Sequence, residues 1–307
     1  MKKKNTGVWA AVSSAVFLGL APVLGKKAIS LNFSYLQVAA FRTLIAALLL
    51  FIVLAIFRRQ YLYIYPAGLI GCSIAGAING VGSLFYYASL EHINASLGQL
   101  LYSLYPFFLA VWMALDAQPL SKLSILRIGM ALAALFLLLY NTNGAEINYL
   151  GVIFMLIGAL FYAIHLPINQ KVLYDVPAPT VTLYTLIAMS AVVVPAFLIL
   201  DFSLPYHASW DPIIWLALAT FFSRILLFMG VKHLGGMQTA LLGLLELLIS
   251  IGLSITWLHE TLTLTQWLGA GILCLTILLA VKEPPDSGKR YPGRISWLSW
   301  LRPPDLN

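Results

Sequence analysis

Long runs of hydrophobic residues, separated by short polar connections, follow one another along most of the chain. The runs are 19–25 residues long and apolar on every side, and a helix needs about 20 apolar residues to cross a bilayer. Strands of a membrane barrel would instead alternate polar and apolar positions over about ten residues. The pattern therefore predicts an all-α integral membrane protein with ten transmembrane helices. The predicted spans are residues 7–25, 34–57, 65–89, 94–117, 122–140, 149–173, 178–200, 211–233, 237–258 and 263–281.

The composition supports this interpretation. Of the 307 residues, 61% are hydrophobic and only 9% are charged, whereas soluble domains carry about 25% charged residues. Such a chain cannot cover a water-facing surface of its size, which excludes a soluble enzyme and makes the lipid bilayer its expected environment. The net charge of +7 comes from short basic clusters between the runs, a pattern that does not indicate nucleic-acid binding.

Sequence motifs for catalysis, metal binding and ATP hydrolysis are absent. Cys72 and Cys274 lie inside apolar runs without a CxxC or Cys/His pattern, and there is no P-loop, HExxH or GxSxG. We therefore expect no cofactor, no metal ion and no enzymatic activity. An intramembrane transferase built from Arg224, Glu246 and His165 is the enzymatic alternative.

The basic residues are distributed unequally between the two ends of the predicted spans. Of the 18 Lys and Arg residues, 14 fall on the side of the N-terminus, Lys26 and Lys27 fall on the opposite side, and two lie inside spans. Because cytoplasmic loops carry the excess of basic residues, both termini are predicted to be cytoplasmic in a plasma or inner membrane. The first span follows Lys2–Lys4 and has no convincing cleavage site, so we expect it to be retained. The tail, residues 282–307, is expected to be either disordered or a short interfacial segment.

The two halves of the chain resemble each other at a common offset. Residues 22–26 and 167–171 both begin with Pro and end with Lys, and residues 90–93 resemble residues 231–234. Five spans is an odd number, so the second half enters the bilayer from the opposite side. The result is an inverted repeat, which is a recurrent architecture of secondary transporters. The predicted divisions are a first five-helix repeat, 1–140, a second, 141–281, and the tail, 282–307.

Several of these features together resemble the EamA-type family of the drug/metabolite transporter superfamily. The resemblance rests on Lys26 at the end of the first span, Arg42 early in the second, Pro106, and residues 260–263, Glu-Thr-Leu-Thr. It covers about residues 7–281 and implies a tandem repeat of ten spans. It also implies a secondary transporter, expected to be an exporter of small metabolites.

The chain departs from the family pattern at two places. Gln118 stands where the glutamate that closes the first repeat is usual, and Leu247 replaces a proline after Glu246. The resemblance therefore does not carry a substrate over to this chain.

Ionisable residues inside the spans are the first candidates for function, because a charge in a bilayer is costly unless it is paired or hydrated. Arg224 and Glu246 lie nine residues from the same end of consecutive spans, so both are roughly 13 Å deep. They are expected to form an ion pair or two poles of one polar cavity; the alternative is a pair that only locks the helices. For Arg42 the alternatives are a site residue, an interface anchor and a helix-packing residue.

Polar and aromatic residues in the helices expected to line the centre form a second group. Small-molecule sites combine an apolar surface with a few placed polar groups. Each tyrosine is alternatively a packing residue, and His165 is either a proton carrier or a hydrogen-bonded core residue. The predicted substrate-binding residues are Asn79, Tyr86, Gln99, Tyr102, Tyr162, His165, Arg224, Gln238 and Glu246.

The sequence thus predicts a secondary transporter that exports small organic metabolites such as amino acids by alternating access. Protons are the expected coupling ion. Sugar-like and drug-like solutes are alternative substrates, and a channel or structural membrane subunit is the alternative class.

The predicted topology can be tested with reporter fusions. Fusions at Asn143 and Ser209 should both report an extracytoplasmic position, because each lies in a connection on the side poor in Lys and Arg. Alkaline phosphatase and green fluorescent protein fusions at the two sites give opposite signals and control for expression. A cytoplasmic signal at either site would contradict the assignment.

Overall fold

The computed structural model describes residues 2–115, 122–140, 148–203, 208–243 and 245–281, and within these ranges all regular structure is helical. A four-residue 3₁₀ turn, Arg59–Leu62, follows the second helix. The helices are α1 (Lys2–Ser30), α2 (Tyr35–Phe57), α3 (Pro66–His92), α4 (Ala95–Tyr102), α5 (Tyr105–Leu115), α6 (Lys122–Leu139), α7 (Tyr149–Asp175), α8 (Ala178–Leu200), α9 (Asp211–Leu234), α10 (Gly236–Gly243), α11 (Leu245–Trp257) and α12 (Leu264–Val281).

Six of the described helices, α1, α2, α3, α7, α8 and α9, are long and apolar enough to cross a bilayer. Two described segments, Leu245–Trp257 and Leu264–Thr276, are shorter apolar helices. These results confirm an all-helical protein with several membrane-spanning helices, and the count of ten stays a prediction. The tail, residues 282–307, and the predicted connection around Gln118 lie outside the described residues.

Local sequence signals explain where several helices begin. Ser34 and Gln37 form a reciprocal capping box at the start of α2. Asn148 accepts hydrogen bonds from the backbone of residues 150 and 151 at the start of α7. Pro66 begins α3, where its missing N–H would have no helical partner in any case.

The predicted fourth span, 94–117, is interrupted and consists of α4 and α5 rather than one continuous helix. Ser103 ends α4, and its hydroxyl donates to the carbonyl of Leu100 at 2.7 Å. Pro106 has no N–H to continue the helical hydrogen bonds. Just before it, the N–H of Leu104 bonds to the carbonyl of Leu101, three residues earlier, which is the tighter pattern of a 3₁₀ turn. The interruption places Tyr102 and Tyr105 on either side of a turn inside the bundle.

Helix packing relates the two halves of the chain. The helix α1 packs chiefly on α9, and its counterpart in the second half, α7, packs chiefly on α3, the counterpart of α9. The helices α2 and α8 contact each other, as do α6 and α12. The main contacts are therefore preserved when the two halves are exchanged.

Glycines allow α3 to approach its neighbours closely. A Cβ atom on Gly76 would lie 2.5 Å from the backbone oxygen of Thr185 in α8. A Cβ atom on Gly82 would lie 2.6 Å from the Cβ of Phe161 in α7. Small residues at these positions are what permits the contact, as is usual between membrane helices.

Two charged side chains bind helix ends where α1 ends and α4 begins, and one of them, Glu260, joins the two halves. Glu260, in the second half, accepts hydrogen bonds from the backbone N–H groups of Ala95 and Ser96, both at 2.8 Å, and from the Ser96 hydroxyl. Lys26 donates to the backbone oxygens of Leu90 and Ile93 at the end of α3. A carboxylate at a helix N-terminus and an ammonium at a C-terminus both complement the helix dipoles.

We expect Glu260→Ala to destabilise the protein by about 1–2 kcal/mol, because the α4 N–H groups lose a charged acceptor. Glu260→Gln should cost less, since one oxygen acceptor remains. The melting temperature of purified protein in detergent measures both effects.

The matched control is Glu91→Gln, because Glu91 accepts a single bond from the exposed backbone of Tyr35 within its own half. Equal melting temperatures for wild type and Glu260→Ala would contradict the role of this contact between the halves.

Candidate functional site

A cavity of about 40 Å³ lies inside the bundle between helices of both halves. By volume it has room for roughly three water molecules. Side chains from α1, α2, α3, α4, α7, α9 and α11 form its wall. The lining residues are Leu18, Ala21, Arg42, Asn79, Gly82, Ser83, Tyr86, Tyr87, Gln99, Tyr102, Tyr162, Arg224 and Glu246.

Most of the residues predicted from the sequence meet at this cavity. Their convergence from five helices makes the cavity the candidate site, while their roles in binding stay predictions. The predicted residues that line it are Asn79, Tyr86, Gln99, Tyr102, Tyr162, Arg224 and Glu246.

Two predicted site residues, His165 and Gln238, are not part of the cavity lining. His165 is fully buried behind Tyr162, with 4.7 Å between the two ring centroids. Its Nδ1 contacts the backbone carbonyl of Tyr162, and its Nε2 has no hydrogen-bond partner. Gln238 is partly exposed on α10. Neither side chain contributes to the wall of this cavity.

Arg224 is held by neutral groups of the first half and by an aromatic ring. With the Asn79 amide oriented by its hydrogen bonds, its Oδ1 accepts from Nη1 and Nη2 of Arg224 at 3.0 and 3.1 Å. The guanidinium carbon lies 5.6 Å from the centroid of the Tyr162 ring, within cation–π range. Only 5% of the side chain is exposed.

Arg42 faces the same cavity and is buried. Its Nη2 donates to the hydroxyl of Ser83 at 2.6 Å, and its Nη1 contacts the hydroxyl of Thr220 at 3.4 Å. The guanidinium carbon lies 4.8 Å from the centroid of the Tyr87 ring. Of the alternatives for Arg42, the geometry favours a cavity residue over an interface anchor.

Glu246 supplies the negative charge of the cavity wall. The amide of Gln99 lies beside its carboxylate within hydrogen-bonding range, and Arg224 attracts it electrostatically. Its Oε1 is buried, and no described residue forms a hydrogen bond with it. Arg224 thus bonds to the neutral amide of Asn79, and Glu246 to the neutral amide of Gln99. This arrangement favours two poles of one cavity over a directly bonded ion pair.

Tyrosine rings form a continuous part of the wall. The ring centroids of Tyr86 and Tyr102 are 4.9 Å apart, and those of Tyr102 and Tyr162 are 5.3 Å apart. The ring of Tyr105, which is not part of the lining, packs on Tyr162 with 4.8 Å between the centroids. Most of these contacts are tilted or edge-to-face, which aromatic quadrupoles favour. The cavity therefore combines charged groups with an aromatic surface.

Sequence reasoning missed some lining residues, of which Ser83 is the most informative. Asn79, Ser83 and Tyr87 are spaced four residues apart on α3 and so share one helix face. This spacing could have identified Ser83 once Asn79 was chosen. The sequence does not distinguish Leu18, Ala21 and Gly82 from other small or apolar residues of the helices. Only the packing of the helices brings them to the cavity.

Comparison with known proteins supports the repeat and the fold. Two stretches, residues 5–140 and 149–282, match the model of the EamA-like transporter family. A protein of Archaeoglobus fulgidus described as an uncharacterized transporter is 26% identical over 199 residues, which cover 64% of this chain and 71% of that protein. A crystal structure at 16% sequence identity superposes with a TM-score of 0.62 over 88% of this chain and 95% of the other, which indicates a shared fold.

Charge coupling across the cavity can be measured by stability. Glu246→Gln should be the most destabilising single change, because it leaves two guanidiniums without a nearby counter-charge. Adding Arg224→Gln should restore part of that stability, with a coupling free energy of about 0.5–3 kcal/mol. Thermal melting of the wild type, both single variants and the double variant measures the coupling.

The control pairs Glu246→Gln with Arg59→Gln. The guanidinium of Arg59 is exposed and donates to the backbone carbonyl of Ala55, four residues earlier. That pair should be additive. Additivity of the Arg224 and Glu246 changes would show that the two charges act independently.

Proposed function

The chain belongs to the EamA-like transporter family, and we propose that it exports small organic metabolites, amino acids first among them, by alternating access. Family membership and the six long apolar helices make it a multi-pass membrane protein with a small-molecule substrate. The substrate class, the direction and the mechanism are the proposal.

The observation that carries the proposal is one cavity lined by Arg42, Arg224, Glu246 and a wall of tyrosine rings. Charges inside a membrane protein are costly and mark substrate or ion pathways. An amino acid offers a carboxylate for the guanidiniums, an ammonium for the carboxylate of Glu246, and a side chain for the rings. The mixture of charged and aromatic groups supports this class over a purely apolar solute.

The packing of the halves supports alternating access between two inverted repeats, 1–140 and 141–281. Contacts between α1 and α9 have their counterpart in those between α7 and α3. Halves related in this way can exchange conformations, which would open the cavity first to one side and then to the other. With both termini cytoplasmic, the contacts of Lys26 and Glu260 lie at the extracytoplasmic end, where they would hold that side closed.

Glu246 is the group we propose for proton coupling. It is 3% exposed, and one carboxylate oxygen has no hydrogen-bond partner. A carboxylate in this position can bind a proton when Arg224 moves away from it. His165 is less favourably placed for exchange with the cavity, because the ring of Tyr162 lies between them.

Counterflow in proteoliposomes tests the proposed function. Wild-type protein should show saturable, pH-dependent exchange of labelled amino acids, and Glu246→Gln should reduce its dependence on pH, because the ionisable group is gone. Arg59→Gln is the matched control and should behave as wild type.

A broad panel of labelled amino acids, sugars and drug-like solutes separates the substrate classes. Flux of a sugar without flux of any amino acid would replace the proposed class. Flux of no solute above empty vesicles would overturn the proposed activity, and a non-saturable flux would indicate a channel.

A further inference from the structure

The charged groups of the cavity do not balance. Arg42 and Arg224 each contribute one positive charge and Glu246 contributes one negative charge, so these three groups sum to +1. The other lining side chains are Leu, Ala, Gly, Ser, Asn, Gln and Tyr, which supply dipoles and hydroxyls but no counter-charge. An unbalanced charge in a low-dielectric interior is unfavourable. A bound anionic group would therefore bring these three charges closer to balance.

Both guanidiniums also retain unused hydrogen-bonding capacity. Arg42 and Arg224 are 93% and 95% buried, since their exposed fractions are 7% and 5%. The Nε of each is buried and has no hydrogen-bond partner among the residues that the structure describes. The two groups lie on α2 and α9, which pack together, and they repel each other electrostatically. An anionic group near both would relieve the repulsion and supply acceptors.

The negative pole has unused capacity as well. Oε1 of Glu246 is buried and has no hydrogen-bond partner within the described part of the chain, and the neighbouring Gln99 is neutral. A cationic donor is the natural complement of a carboxylate oxygen. The cavity thus presents two sites for anionic groups and one site for a cationic group.

Within the transport function proposed above, we propose that the cavity recognises an amino dicarboxylate, a solute of the aspartate or glutamate type. Such a solute carries two carboxylates and one ammonium, the complement of two guanidiniums and one carboxylate. Its net charge of −1 brings the three-residue sum to zero. A neutral amino acid would leave +1, and a dicarboxylate without the ammonium would leave −1 and an unpaired Glu246.

The cavity is smaller than an amino acid, so binding has to move part of its wall, and a compact solute requires the least movement. The cavity of about 40 Å³ is small, and the rings of Tyr86, Tyr102 and Tyr162 already pack against one another along its wall. A short polar solute requires less displacement of these rings than an aromatic amino acid does. Planar guanidiniums also suit carboxylates, which they bind in a two-point geometry.

A matched set of ligands tests the charge complement on the wild-type protein without any variant. Aspartate, asparagine and succinate have nearly the same size and differ in one charged group each. Aspartate should raise the melting temperature of the purified protein by several degrees at millimolar concentration. Asparagine and succinate should each give less than half of that shift, and inorganic phosphate and phenylalanine should give none.

Counterflow of labelled aspartate in proteoliposomes gives the second readout. Unlabelled aspartate or glutamate inside the vesicles should drive uptake at least tenfold faster than asparagine or succinate. Preference for asparagine or phenylalanine would overturn this inference and leave the proposed amino-acid transport standing. Counterflow of other amino acids without aspartate would do the same, whereas counterflow of sugars or drug-like solutes alone would overturn both proposals. If no solute exchanges, the melting shifts decide, and the absence of an aspartate-specific shift overturns the inference.

Charge-changing variants should alter the preference in opposite directions. Glu246→Gln removes the group that would bind the solute's ammonium, and it raises the summed charge of the three residues to +2. The ratio of succinate to aspartate binding should therefore rise at least fivefold. Arg42→Gln lowers the sum to zero, so the ratio of asparagine to aspartate should rise. Arg59→Gln, on the exposed surface, should keep the wild-type ratios. Equal ratios in all variants would overturn the assignment; if a variant fails to fold, the wild-type ligand series remains decisive.

Discussion

The burial of three full charges in the middle of a helical bundle is the constraint on which the rest of the structure depends. A bilayer offers no water to such groups, so the protein must supply their partners itself. Asn79 and Ser83 of α3 supply oxygens to Arg224 and Arg42, and Gln99 of α4 lies beside Glu246. Each charge is thereby tied to a helix other than its own. The site and the fold consequently stabilise each other.

Much of the architecture could be predicted from the sequence, because the length and uniform hydrophobicity of membrane helices identify them. The predicted spans 34–57, 178–200 and 211–233 agree with α2, α8 and α9 to within one residue at each end. The interruption between α4 and α5 was missed, because Pro106 by itself is compatible with either a kink or the first turn of a new helix. Which of these occurs depends on neighbours that a hydropathy pattern does not contain.

The candidate site was predictable to the extent that its members are chemically unusual for their setting. Sequence reasoning identified Arg224, Glu246 and Asn79 because polar side chains in membrane helices are energetically costly and so usually mark a functional site. Ser83 was missed because the sequence does not fix the rotation of α3 about its axis. Gln238 was included, although it lies on α10 and not in the cavity lining. Helices that are apolar on all sides carry little information about rotation, since no hydrophobic face distinguishes the interior from the lipid.

The glycine contacts of α3 bear on which parts of the site can move. Gly76 and Gly82 bring the backbone of α3 against α8 and α7 with no clearance for a methyl group, and Asn79 lies between them. A helix in contact at this distance cannot roll against its neighbours without a steric clash, so α3, α7 and α8 are expected to travel as one block. Asn79 then serves as a fixed reference within that block. Arg224 lies on α9, outside this block, so its distance from Asn79 would change whenever α9 moves relative to α3, α7 and α8. The hydrogen bonds between the two residues therefore register the position of α9 relative to that block.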